Sequence, residues 1–286
     1  MTIKTFQKVV RHMLILMDGS DYSERLLDCS IKIFHNSQDR FNGAFVEGIS
    51  TGNLNQVFDS PEFLNSQYTR SEIIEKILHT NLHNSNEFIE RFVHKCEELS
   101  LKTKVYLSGI ELNEDLVNES QYNDLFVIGK DIFKKENINK QSFYSIETVL
   151  RNTKCPILLL SCEQVEFLNI ILLYDGSNRS FEAIKLFMYL MADQMDNCNV
   201  ILNIVVTENS NSQEKNIINY LKNYKQHFAI NRVYPENYFS DLLVLLRDFS
   251  SFLLVTGVNR NEIIEDLIFN KNNSFFMDGK RSIFLG

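Results

Sequence analysis

Apolar residues along this chain follow two alternating patterns. Short continuous apolar runs, typical of strands buried on both faces of a sheet, alternate with longer segments whose apolar residues recur every three or four positions. In the first half the runs predict strands near residues 12–17, 41–49, 103–107, 125–128 and 156–160. The longer segments predict helices near residues 21–35, 71–99, 112–121 and 142–152. This alternation predicts a parallel sheet with right-handed helical crossovers.

The second half repeats the same order of elements. Its predicted strands are 170–174, 199–207, 228–234, 252–256 and 282–285, and its predicted helices are 179–192, 213–226 and 239–249. Each half opens on an apolar strand that ends in Asp-Gly-Ser, at residues 18–20 and again at 175–177. An internal repeat of this length indicates two copies of one domain. We predict a first domain at 1–163, with an enlarged loop and helix at 51–95, and a shorter, degenerate second domain at 167–286.

Composition places the chain among globular proteins and excludes several functions. The 286 residues, 44% hydrophobic and 23% charged, are enough for two domains with a core each. The formal net charge of −8 argues against a nucleic-acid binder or a protein of anionic membrane surfaces. No apolar run approaches the roughly 18 residues of a membrane span, and the first run is too short for a signal peptide. The five cysteines form no C-x-x-C pair, so we expect reduced thiols and a cytoplasmic protein.

Three segments together resemble the universal stress protein family. They are the strand end Asp18–Ser20, the strand Asp124–Gly129, and the closing segment Val149–Leu159 with its Cys-Pro step. The resemblance implies, in each half, a five-stranded parallel sheet in the order 3-2-1-4-5, an adenine nucleotide α-hydrolase-like fold. Family members often dimerise through the fifth strand. Strands Pro156–Leu160 and Ser282–Leu285 are therefore expected to pair, giving an intramolecular pseudo-dimer, and a further homodimer stays open.

In such a sheet the first and fourth strands are neighbours at the topological switch point, where open α/β sheets bind ligands. The resemblance therefore implies a nucleotide crevice beyond their carboxyl ends. Its residues would be Asp18, Gly19, Val46 and Gly129 in the first half, and Asp175, Gly176 and Gly257 in the second. The two aspartates would contact a ribose or an adenine edge. The alternative is a simple strand-end turn, in which a following residue such as Ser20 or Asp21 caps the next helix.

The phosphate-binding part of the family motif is incomplete in both halves. ATP-binding members carry G-x2-G-x9-G-[ST] after the fourth strand. Gly129 and Gly257 match the first glycine, but Ile132 and Arg260 stand at the second, and no Gly-Ser pair stands at the third. Side chains at glycine positions should block the close approach of backbone to phosphate. We therefore expect no ordinary ATP site and no cofactor, while binding of ATP or AMP remains the alternative.

Other chemistry-bearing residues point to no established type of site. His79, His83, Glu87 and His94 share one face of a predicted helix, but no further ligand completes a zinc site, so no metal is expected. No hydrolase or P-loop motif occurs, and no catalytic residue is predicted. We predict a non-enzymatic, stress-linked regulatory or interaction protein with an unknown protein partner. The alternatives are an ATP- or AMP-binding switch with weak ATPase activity, and a small-molecule binder beside residues 51–95.

Overall fold

The structure is a computed structural model. It describes residues 11–17, 21–34, 39–46, 87–108, 112–133, 140–163, 166–206, 210–234, 244, 246–257 and 280–286. The predicted loop 51–69 and the first part of the predicted helix 71–99 lie outside them, as does most of the predicted helix 239–249. No helix among these stretches has the length and apolar character needed to cross a membrane.

The first half follows the predicted order. Its strands are β1 (His12–Met17), β2 (Arg40–Val46), β3 (Lys102–Ser108), β4 (Leu125–Gly129) and β5 (Ile157–Leu160). Its helices are α1 (Asp21–Phe34), α2 (residues 87–98), α3 (Leu112–Ser120) and α4 (Lys140–Asn152), with a 3₁₀ turn at Lys130–Phe133.

The second half repeats this order with shorter connections. Its strands are β6 (Asn169–Tyr174), β7 (Asn199–Val205), β8 (Ala229–Val233), β9 (Ser251–Thr256) and β10 (Lys280–Leu285). Its helices are α5 (Asn178–Met191) and α6 (Ser210–Lys222), with a 3₁₀ turn at Ala192–Met195 after α5.

All ten strands belong to one continuous sheet, in the order β3-β2-β1-β4-β5-β10-β9-β6-β7-β8. Each half therefore has the predicted strand order 3-2-1-4-5. Strand pairs within a half are parallel, whereas β5 and β10 are antiparallel, with Leu158 opposite Phe284. The predicted pairing of the two fifth strands is confirmed. We call this β5–β10 contact the seam; the predicted domain boundary near Glu163–Glu166 stays a prediction.

The central strands β1, β4, β5, β6 and β9 are buried on both faces because they are apolar at nearly every position, whereas the edge strand β8 is mostly exposed or half-buried. On β1, Met13 and Ile15 pack into one core, which α1, α2 and α5 cover. Leu14 and Leu16 pack into the core on the opposite face, which α3 and α4 cover in the first half. A strand of this kind shows no polar alternation, and this is why its sequence predicts a sheet sandwiched between helices.

A buried ion pair joins the two halves away from the seam. Asp39, which is fully buried, accepts hydrogen bonds from the backbone and the guanidinium of Arg11. The same guanidinium donates to the carbonyl oxygen of Leu190 in α5, at 2.9 Å. In addition, the Gln194 side chain donates to the carbonyl oxygen of Ile33 at the end of α1. These contacts fix the ends of α1 and α5 side by side.

Candidate functional site

The two switch points lie at corresponding places in the sheet. β1 is registered against β4 from Met13 opposite Leu125 to Ile15 opposite Val127, and β6 against β9 in the same way. The carboxyl ends of these parallel strands therefore meet at one edge of the sheet. We call the space beyond each pair of ends the switch-point crevice. Gly129 ends β4 beside the first crevice, while Asp18 and Gly19 lie outside the described residues.

In the second half, the Asp-Gly-Ser turn folds back on itself. Gly176 has a φ of 82°, a left-handed conformation that favours glycine. The Asp175 carboxylate accepts a hydrogen bond from the backbone N–H of Ser177 at 2.9 Å. The Ser177 hydroxyl in turn caps α5, accepting from the backbone N–H of Ser180 at 3.1 Å. The alternative interpretation of a capped strand-end turn therefore describes this half.

Hydrogen bonding determines the charge state of Asp175. Burial raises the pKa of this carboxyl group, but hydrogen bonds from Ser177 and Ser180 together outweigh that effect and bring the pKa below its ordinary value. Asp175 is therefore an anion at neutral pH whose lone pairs already serve the turn. It has less capacity left for a ribose hydroxyl than an exposed strand-end aspartate would have.

A side chain from α6 lies directly against this turn. A Cβ atom built at Gly176 would come within 2.8 Å of the Gln213 side-chain oxygen. Gln213 belongs to the first turns of α6, the helix that follows β7. The protein's own carboxamide therefore occupies space beside the strand end where a ligand of the second crevice would have to approach.

The two strand-end glycines differ in what surrounds them. A Cβ atom at Gly257 would lie 2.3 Å from the carbonyl oxygen of Arg179 and 2.8 Å from the Ala183 Cβ atom. Glycine is needed there because α5 packs directly on the end of β9. Among the described residues, the atoms nearest to a Cβ atom at Gly129 belong to the Leu26 side chain, at 3.5 Å or more, which is an ordinary contact. Packing of the described residues thus explains the glycine at 257 and does not by itself require the glycine at 129.

Lys130 follows Gly129, and sequence reasoning did not single it out. Only 4% of its surface is exposed, although it begins a 3₁₀ turn next to the first crevice. Ile132, at the second glycine position of the family motif, is buried in the apolar core together with Phe133. The sequence signal for Lys130 is a lysine directly after a strand-end glycine.

The second strands contribute less to either crevice. Val46 ends β2, but its side chain lies outside the described residues, and Val205, its counterpart on β7, is buried. Two positions before Val205, the carboxamide of Asn203 is fully buried and makes no hydrogen bond at either atom within the described part of the chain. Such a group is uncommon in a strand interior, where buried polar atoms are normally paired.

The residues that could bind a metal are only partly described. His94 is exposed and its Nδ1 lies 3.4 Å from a carboxylate oxygen of Glu98, one helical turn further on. His79 and His83 lie outside the described residues. Within the described stretches no three of the side chains that bind metals lie together.

No family model matches the sequence of this chain, and no curated protein matches it. A solved universal stress protein from Archaeoglobus fulgidus matches with a TM-score of 0.52 and 14% identity, over 96% of this chain and 95% of that chain. The fold is that of the universal stress proteins.

Two further solved structures carry the same description. One, from Pseudomonas aeruginosa, is 10% identical with a TM-score of 0.52 and covers 97% of this chain and 93% of its own. Another, from Arabidopsis thaliana and solved with AMP bound, is 12% identical with a TM-score of 0.32 and covers 51% of this chain and 88% of its own. The match to the first two spans both halves, so the universal stress fold occurs here as a tandem pair.

Proposed function

We propose that this chain is a non-catalytic regulatory or interaction protein of the universal stress type whose second switch-point crevice binds no nucleotide. The proposal rests on one observation: atoms of the protein itself lie against the two glycines of the second crevice. The carbonyl of Arg179 lies against Gly257, and the carboxamide of Gln213 lies against Gly176. In a phosphate site, glycine leaves room for the ligand. In this half the same room is filled by α5 and α6.

The chemistry of the second crevice supports a role without catalysis. Among its described residues, Asp175 is the acidic group at the strand end, and its carboxylate is bound within its own turn. A general base needs free lone pairs within hydrogen-bond reach of a substrate proton. A group that already stabilises a helix cap is a poor candidate for that role, so we assign it to structure.

A second candidate function rests on the first crevice. A Cβ atom at Gly129 would make ordinary contacts with the described Leu26 side chain, and the next residue is the buried Lys130. A glycine that admits a ligand and an adjacent ammonium group form an arrangement suited to a phosphate. Under this candidate, a nucleotide such as ATP or AMP binds in the first half alone and acts as a regulatory signal.

Isothermal titration calorimetry of the full chain with ATP, ADP and AMP separates these candidates. No heat of binding at micromolar nucleotide supports the principal proposal. Binding that is lost in Gly129→Val and kept in Asp175→Ala supports the second candidate. Binding lost in Asp175→Ala contradicts both, because it would place the nucleotide in the second half. Circular dichroism of each variant confirms that the sheet has formed.

Phosphate release from ATP tests the absence of catalysis separately. The full chain with Mg²⁺ and ATP should release phosphate no faster than the buffer alone. Release above that background, which Asp18→Ala or Asp175→Ala abolishes, would show instead that one crevice hydrolyses ATP. The rate of phosphate release does not depend on which crevice binds the nucleotide. The absence of catalysis can therefore be contradicted even if the calorimetry agrees with one of the two candidates.

A further inference from the structure

Two cysteines from distant parts of the chain meet near the seam. Cys29 lies in α1, and Cys162 lies two residues after the end of β5. The Cys29 thiol donates a hydrogen bond to the backbone carbonyl oxygen of Cys162, with the sulfur 3.7 Å from that oxygen, and the Cys162 side chain is also within hydrogen-bond reach of the Cys29 sulfur. Neither cysteine is in a disulfide. The fold thus brings two cysteines 133 positions apart in sequence into contact.

The surroundings of Cys29 favour its thiolate. The hydrogen bond with the Cys162 side chain lowers the pKa of Cys29 and outweighs burial, which raises it. Lys32 on the same helix lowers the pKa further, whereas Asp28 raises it by more than Arg25 lowers it. The thiolate is the reactive form of cysteine in exchange and oxidation. Cys29 therefore has the character of a reactive thiol although it is nearly buried.

The remaining cysteines whose pKa is shifted show the opposite behaviour. Burial raises the pKa of the Cys96 thiol to about 11, and it also raises the pKa of Cys198. Cys155 is buried in the core on the other face of the sheet. These three are ordinary structural thiols, and Cys198, half-buried like Cys162, offers a matched control.

We propose that Cys29 and Cys162 form a redox site that reacts with hydroperoxides to give an intramolecular disulfide. Cys162 is half-buried and is the thiol that an oxidant reaches, whereas Cys29 is 4% exposed. The peroxide is thus reduced at the accessible sulfur, and the buried thiolate completes the reaction. Thiols of the dithiothreitol class reverse it.

The disulfide forms in two steps. The Cys162 thiol loses its proton, and its sulfur attacks one oxygen of hydrogen peroxide; the O–O bond breaks, which gives a sulfenic acid and a hydroxide that takes up the proton to form one water. The thiolate of Cys29, whose proton has gone to solvent, attacks the sulfenic sulfur; the S–S bond forms and hydroxide leaves. Hydroxide and the released proton combine to a second water. Two thiols are oxidised and one peroxide is reduced, with no other reactant.

The disulfide would join α1 to the seam. The residue before Cys162 is Ser161, whose backbone N–H donates to the Ser282 hydroxyl on β10 at 3.0 Å. Oxidation would therefore attach α1 covalently to the segment where the two halves meet. The reduced and oxidised chains would differ in how tightly α1 is held, with the same fold.

The test uses the full chain, reduced, desalted and then treated with equimolar hydrogen peroxide. Remaining thiols are blocked with N-ethylmaleimide before digestion and mass spectrometry. Trypsin alone leaves Cys155 and Cys162 on one peptide, so chymotrypsin is added to cleave among Leu158–Leu160. We expect a peptide of Cys29 linked to a peptide of Cys162, and a fall in titratable thiols from the five of the sequence to three.

The controls are single substitutions. Cys29→Ala and Cys162→Ser should each abolish the linked peptide, whereas Cys198→Ser should leave it unchanged. Because Cys29→Ala changes a buried helix residue, Cys162→Ser at the half-buried position shows the same loss without disturbing the core. Retention of all five thiols in the folded wild-type chain would overturn the proposal. So would a link through Cys155, or a sulfenic acid at Cys162 that persists without a disulfide.

Discussion

At the scale of single residues, the two strand-end glycines show what sequence can and cannot establish. Both were predicted as crevice positions because each follows an apolar strand at the same place in the repeat. Their different environments depend on how closely α5 approaches β9, which no local pattern records. Lys130 and Gln213 were missed for the same reason, since their positions depend on tertiary packing.

The difference between the glycines is open to measurement. Gly257→Ala should lower the free energy of unfolding by roughly 1–3 kcal/mol or more, because its Cβ atom would overlap the Arg179 carbonyl. Gly129→Ala, whose Cβ atom has ordinary contacts, should change it by less than about 1 kcal/mol. Urea unfolding followed by circular dichroism gives both values. Equal losses would show that the packing of α5 does not require Gly257.

At the scale of elements, the sequence predicts the bounds of the strands β4 and β5 well and the ends of the helix α6 less well. β4 and β5 lie within a residue of their predicted bounds because a continuous apolar run is the whole of their signal. α6 spans Ser210–Lys222 rather than the predicted 213–226. The helix ends before Tyr224, which is exposed and lies beside Tyr220.

The buried pair of Arg11 and Asp39 is one of the polar contacts that hold the ends of α1 and α5 together. Arg11→Ala should lower the free energy of unfolding by about 3–5 kcal/mol, because it leaves the carboxylate of Asp39 buried without its cation. Arg151→Ala breaks a more exposed pair with Glu147 within α4 and should cost about 0.5 kcal/mol. Denaturant unfolding of the two variants compares them directly, and similar losses would contradict the bridging role of Arg11.

At the scale of the whole molecule, the repeated Asp-Gly-Ser predicts two copies, because an apolar strand and its turn are local in sequence. The pairing of the two fifth strands is instead what the resemblance to the universal stress protein family implies, and the structure confirms it. The contact between Cys29 and Cys162 could not be predicted, since it needs the register of the seam and the position of α1 together.

Residues 1–163 produced alone would expose β5 as an open edge. Open apolar edges pair with other chains, so this fragment should self-associate through β5, whereas the full chain has that edge covered by β10. Analytical ultracentrifugation over a range of concentrations measures the difference. A fragment that stays soluble and strictly monomeric would show that the seam is not needed to cover β5.

The seam also removes a constraint that symmetry imposes on ordinary dimers. Two identical subunits related by a twofold axis must present identical surfaces, so a change that fills one crevice fills both. Here β5 and β10 bring together two halves encoded at different positions of one chain, and dilution does not separate them. Each half can therefore accumulate its own substitutions. A glycine at position 129 with ordinary contacts to Leu26, and one at position 257 against which α5 packs directly, are the kind of divergence that such a covalent pair permits.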